Sequence, residues 1–460
     1  MDRRREDWRV GYFSTPSTIY NDEQQRVEHT SYITRWRLEP KDTAAYLRGE
    51  LTEPVKPIDF YIGGAVPEHL RPYIIKGITD WNKAFERAGF KNAVRAIVPN
   101  DTLDVEGDDM HYSVLTYAAS EKANAMGPST IDPRTGEILE ADIIWWHNVQ
   151  SLISEWITVQ TGAVDPRARS LKLPIELIGD AVRFVACHEV GHSLGLRHNM
   201  MASAAYPTDS LRSESFTSRM GGTSASIMDY ARFNYVAQPG DNVKVMSPNI
   251  GPYDLMAIEW GYRWYPDGTN EDKVLSDLLG KYKGKEYRYS EAQPQRSAVD
   301  PRALSEDLGD DPVKSARLGV ENLKRVMPNL IEWTRNNKPG QNYDEAGNLY
   351  AAVIFQWSLY HYHVMANIGG IYMERPNVDW HKDPEKQAYV FVEKERQKEA
   401  VQFLLDEVLC FPEWLFGSPF STQVFPLRKT PLGTTEQEPA MLPKNQQNYI
   451  LWDLLANDRL

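Results

Sequence analysis

The stretch "VACHEVGHSLGLRHNM", Val185 to Met200, places three histidines and one glutamate within eleven positions, in a chain of 460 residues that has only ten histidines. A periodic apolar pattern begins at about Pro174 and carries Leu177, Ile178, Ala181, Val182 and Val185 toward Gly195, which predicts a long helix through the histidines. On that helix His188 and His192 stand four apart, so their imidazoles project from one face about a turn apart, as two ligands of one metal ion require. Glycine lacks Cβ and takes the left-handed conformation readily, so Gly195 predicts the helix end and a sharp turn that returns His198 as a third ligand. Glu189, next to the first ligand, reaches a water at the metal without binding the metal itself.

Three neutral imidazoles with an open fourth position describe a catalytic zinc site rather than a closed structural one. Zinc acidifies bound water, and Glu189 as general base would complete the hydrolysis of an amide. Any single histidine is more often a core or surface residue. Five fixed residues at these spacings are different, because chance would give the set in roughly one of tens of thousands of chains.

The motif HExxHxxGxxH, read here as "HEVGHSLGLRH", resembles the signature of the metzincin metallopeptidases. Their methionine turn has its counterpart in "SASIMDY", where Met228 follows His198 by 30 positions. The resemblance implies that Met228 forms a hydrophobic floor beneath the metal. It also implies that Tyr230, as in astacin-like and serralysin-like relatives, binds zinc or stabilises the oxyanion. Over Ile58 to Tyr262 the expected fold is α+β: a twisted mixed sheet with an antiparallel edge strand, an active-site helix and the Met-turn, followed by a mainly helical C-terminal domain. Within "ANAMGPSTIDPRTGEILEADIIWW", Ala123 to Ile131 would be the edge strand that pairs with extended polypeptide substrate. Asn199 after the third histidine departs from the familiar subfamilies. The long extensions and "DPRTGEILEAD" are similar to a group of large bacterial zinc-dependent proteases, usually exported to the cell envelope, in which "DWRVGYF" would open the catalytic half behind further domains.

Outside the motif, a strand is expected over Ser31–Leu38 and a boundary near Pro57. "IDFYIGG" reads as a buried strand. A helix follows from Pro67 with Leu70, Ile74, Ile78, Trp81 and Phe85 inward and Gly89 at its end, and "NAVRAIVP" and "YSVLTYAAS" are strands. "DPRTGEIL" is a tight turn, Ala202 to Ala225 a polar loop, and Gly251–Tyr262 a helix behind a proline. From Trp264 to about Asp311 composition suggests an extended connection, and the remainder reads as helical, including "DPEKQAYVFVEKERQKEAVQFLLDEVL". The expected units are thus 1–56, 57–265 and 266–460.

A net charge of −13 argues against nucleic acid and anionic membranes as partners. The uncharged stretch Ala346–Met373 exceeds the roughly 20 residues that span a bilayer. Its Gln356, Ser358, His361, His363 and Asn367 make it a buried helix of a soluble domain. His361 and His363, two apart, face away from each other on a helix and are packing residues, and His147 has no partner at ligand spacing. Cys187 points away from the metal side, and its pairing with the distant Cys410 is not expected. No apolar stretch follows the basic N-terminus, so it is not a secretory signal: either the protein stays inside or a leader was removed. No calcium loop is indicated. Two other functions remain open: a peptide-binding or scaffold module with little turnover, and a zinc amidase acting on cell-wall peptides.

Overall fold

The computed structural model describes residues 1–456 apart from positions 21, 24, 100–104, 106, 108, 376–386, 418–422 and 424–440. An antiparallel hairpin of β1 (Ser14–Ile19) and β2 (Glu28–Ile33) precedes the main sheet. That sheet contains β3 (Ile58–Ile62), β4 (Val94–Ile97), β5 (Ser113–Ala118), β6 (Ala125–Met126) and β9 (Ile143–Trp146) in the order β4-β3-β5-β9-β6. The first four run parallel and β6 alone runs antiparallel, against β9. The fold is therefore α+β, a mixed sheet with helices and a helical C-terminal part, as the motif implied.

The helix read from Pro67 forms as two pieces, Arg71–Thr79 and Asn82–Arg87. Leu70, Ile74, Ile78, Trp81 and Phe85 are all fully buried, each worth ~1.5–3 kcal/mol of transfer free energy. The first piece lies directly on the ligand helix, Ile175–Ser193, because Gly77 has no side chain to hold it off: a Cβ there would stand 2.6 Å from the Arg183 carbonyl oxygen.

Several further expectations change. The edge strand over Ala123–Ile131 is split: only Ala125–Met126 joins the sheet, and the chain then leaves as β7 (Ser129–Asp132), which pairs with β8 (Glu137–Ala141) in a separate hairpin. Gly127 and Pro128 cause the break. Gly127 approaches so closely that an added Cβ would lie 3.0 Å from the Glu189 carbonyl oxygen, and Pro128 has no N–H to give a ladder. The strand expected over Ser31–Leu38 ends at Ile33. Thr34, Arg35, Trp36 and Leu38 are all buried. Beyond Ile33 the chain is enclosed: the Arg35 backbone bridges to Glu137 of the hairpin, and the Trp36 indole donates to the Ser193 carbonyl at 2.8 Å. Tyr389–Phe391, expected to be helical, is a strand paired with Ile371–Met373, as its run of aromatic and β-branched residues favours. The helical reading from Asp383 lies outside the described residues as far as 386, and Lys394–Leu404 is helical.

One helix, Val149–Thr161, went unassigned from the sequence. Where an extended connection was expected after Trp264, Glu271–Leu279 is helical and buries Leu275, Leu278 and Leu279. Among the described residues, buried side chains form two main cores. The first takes in Tyr12 and Trp36, the sheet, the ligand helix and Leu275–Leu279. The second is built on helices Pro312–Val326, Asp344–Met365 and Lys394–Leu404. The uncharged stretch thus lies largely inside a buried helix, and among the described residues no helix is long and apolar enough to cross a membrane. Cys187, buried, and Cys410, exposed, are both free.

Candidate metal centre

His188, Glu189 and His192 lie on the last turns of the ligand helix, with the first two buried. Gly195 follows with φ +91°, and an added Cβ would collide with the Thr34 carbonyl oxygen, so both conformation and space demand glycine. The reversal brings His198 back beside His192, their Nε2 atoms 3.1 Å apart. Two segments distant in sequence hold this turn. The N-terminal backbone brackets it, with Phe13 N–H donating to the Gly195 carbonyl (2.8 Å) and Arg197 N–H to that of Gly11 (2.9 Å). On the other side, Asn199 N–H donates to the Met228 carbonyl at 3.0 Å, and its side-chain amide donates to that of Arg288 at 2.9 Å. The residue that sets this chain apart from familiar subfamilies is thus a buried clasp on the third histidine.

Met228 is fully buried, and its Sδ packs under Gly191 of the ligand helix so tightly that a Cβ at 191 would clash with it. Asp254 shapes the turn, accepting from Ser226 Oγ (2.5 Å), Ile227 N–H (2.8 Å) and Gly251 N–H (2.7 Å). The Ile227 carbonyl accepts from His188 Nδ1 at 2.8 Å, and the Leu196 carbonyl from His192 Nδ1 at 2.8 Å. With Nδ1 donating, each imidazole presents an unprotonated Nε2 to the cleft, as metal ligands do. Burial holds all three histidines below their ordinary pKa, His198 down to about 3, so they are neutral and ready to coordinate.

One ligand atom from each of the three imidazoles falls within 4.8 Å of the others. A tetrahedral ion with bonds of about 2.0–2.1 Å sets its ligands roughly 3.3 Å apart. The His192–His198 spacing of 3.1 Å is already close to this. The residues present therefore fit zinc. This arrangement lies inside a longer match: a Met-zincin family model covers residues 170–460. The chain belongs to the Met-zincin family. Residues 1–41 of this Met-zincin match a separate model, a domain of unknown function. No curated protein and no solved structure matches the chain.

A cleft of about 620 Å³ opens over the triad. Ala125 and Met126 of the edge strand line one side, Trp156, Phe184 and Val185 give an apolar wall, and Glu189, Tyr230 and Arg232 face in. Glu189 is pushed up to about 7 by burial, which Arg232 partly opposes. The Tyr230 ring lies 4.4 Å from that of His198, and burial keeps its hydroxyl protonated above the usual phenol range. Arg232 was not anticipated. Its guanidinium stands 4.0 Å over Trp156 and 4.3 Å over Tyr230, and it pairs with Glu306 at 2.9 Å. Nothing in the sequence around Arg232 signals this, whereas Leu152 and Trp156 at spacing four are a readable apolar stripe. Phe13 also lines the cleft, its ring 5.9 Å from His192.

Among the described residues, His361, His363 and His147 do not line the cleft over the triad. His361 and His363 are buried in the second core, where His363 Nε2 donates to the Ser305 carbonyl at 2.9 Å. His147 is exposed and meets the Tyr117 hydroxyl at 2.6 Å, joining β5 to the end of β9.

Proposed function

We propose that this Met-zincin is a zinc endopeptidase that cleaves extended polypeptide. The observation that carries the reading is Glu189: a carboxyl beside three converging neutral imidazoles, in the wall of a cleft bordered by the last strand of the main sheet among the described residues. His188, His192 and His198 would hold the ion. Zinc bound there supplies Lewis-acid polarisation of the scissile carbonyl and lowers the pKa of the attacking water. Glu189, with a carboxyl near 7, takes the proton of that water and returns it to the leaving amine. Tyr230 remains a donor at neutral pH and would stabilise the developing oxyanion. Ala125–Met126 offers its outer edge to the substrate backbone, and Met228 supports the ligand helix from below. By its resemblance to exported proteases, the substrate is a protein of the cell envelope or surroundings.

Hydrolysis of a quenched, unfolded protein by zinc-loaded wild type tests the reading. Glu189→Ala should keep its zinc and lose ~10²–10⁴-fold in turnover, and a chelator should stop the wild type reversibly. Tyr230→Phe should lower kcat by roughly 10- to 100-fold with KM little changed. A zinc-loaded wild type that cleaves no peptide bond, or cleaves peptidoglycan fragments only, overturns the proposal.

A further inference from the structure

Beside the cleft lies a second groove of about 440 Å³, between helix Val149–Thr161 and helix Asp344–Met365. Leu152 and Trp156 line both spaces, so the groove continues the cleft rather than standing apart from it. Trp156 is held at the junction by the Arg232 guanidinium stacked over its ring.

The two walls are facing helical stripes. Leu152, Glu155, Trp156 and Val159 recur at spacings of three and four on one helix, and Asn348, Ala351, Ala352 and Phe355 on the other. Small side chains at 351 and 352 leave the trough open. Phe355 is 57 % exposed although its neighbours Val353 and Trp357 are buried, so a large aromatic ring is presented to the groove. From Asn348 to Phe355 the helix rises roughly 10 Å, the reach of about three residues of extended chain. Glu155 adds a charge. It is half-buried, and among the described residues no Lys or Arg pairs with it. Burial first, and Glu345 nearby second, raise its carboxyl above the ordinary range. A cation brought by a ligand would relieve both.

Resting on the peptidase reading of the adjoining cleft, we infer that this groove is an exosite for the substrate itself, taking an apolar side chain next to a basic one a few residues from the scissile bond. The apolar side chain packs on Phe355 and the alanines, and the Lys or Arg pairs with Glu155. Short peptides confined to the cleft gain nothing from it.

The test uses a labelled peptide of about six residues, roughly 20 Å when extended, and the same peptide lengthened at either end by an alanine spacer and a Phe-Arg pair. Affinity is read by fluorescence anisotropy on zinc-loaded full-length Glu189→Ala, and KM on wild type. One of the two extensions should tighten binding at least tenfold. Adding Phe355→Ser and Glu155→Gln should erase that gain while leaving the short peptide within twofold. No gain from either extension, a gain that survives both substitutions, or an equal loss for the short peptide would overturn the exosite. The two readings fail separately: extended peptides that bind with the gain yet are never cleaved refute the peptidase and leave the groove. Cleavage without the gain refutes the groove alone.

Discussion

His188 and His192 lie four apart on one helix, and His361 and His363 lie two apart on another. His188, His361 and His363 are all buried, and desolvation holds all four imidazoles below their ordinary pKa. Burial does not separate the pairs. What does is where the second nitrogen goes. In the first pair both Nδ1 atoms are fixed on backbone carbonyls and leave Nε2 facing a third imidazole across the cleft. In the second, His363 spends Nε2 on the Ser305 carbonyl, while His361 Nδ1 meets Gln446 at 3.2 Å and its ring packs edge-on to Trp357. A buried neutral histidine is thus left able to ligate or is spent as a brick according to spacing and to which nitrogen the backbone claims.

Substitutions in the brick pair should act on stability and not on metal. His361→Ala leaves a cavity among Trp357, Phe403 and Gln446 and should cost ~2–4 kcal/mol of unfolding free energy, with zinc affinity unchanged in a titration at low temperature. A loss of zinc would break the comparison. His363 makes a related prediction about acid. Burial holds it down to about 4 in the fold, against about 6.5 unfolded. Its contribution is therefore full above about pH 6.5 and is lost as pH falls toward 4, by up to ~3 kcal/mol. Denaturation midpoints of His363→Gln measured across that window should fall less steeply than those of wild type. The smallest effect belongs to the ligand side. Asn199→Ala removes the side-chain half of the clasp on the His198 turn but no ligand, and should weaken zinc by ~10- to 100-fold, read by competition with a chromophoric chelator. Unchanged affinity would mean that the turn holds itself.

The centre was legible because its chemistry is local. His188, Glu189, His192, Gly195 and His198 occupy one helix end and one turn, so helical spacing and a single glycine conformation bring them together. Met228 was reached only through the resemblance, and its physical complement, the bare Gly191 above it, is visible in the structure alone. The supports were not legible for the same reason reversed. Gly11 and Phe13 meet Gly195 and Arg197 across more than 180 positions, and Glu306 meets Arg232 across 74, with no periodicity to announce either. The edge strand was overextended because the resemblance assigned it the whole of Ala123–Ile131, whereas the backbone's approach to the ligand helix at Gly127 ends the pairing.

The most direct test of the account is zinc stoichiometry of three folded proteins measured side by side: wild type, His198→Ala and His361→Ala. The account predicts one tightly held ion per chain in wild type and His361→Ala and none surviving dialysis in His198→Ala. An ion retained by His198→Ala, or lost from His361→Ala with its fold intact, would contradict it.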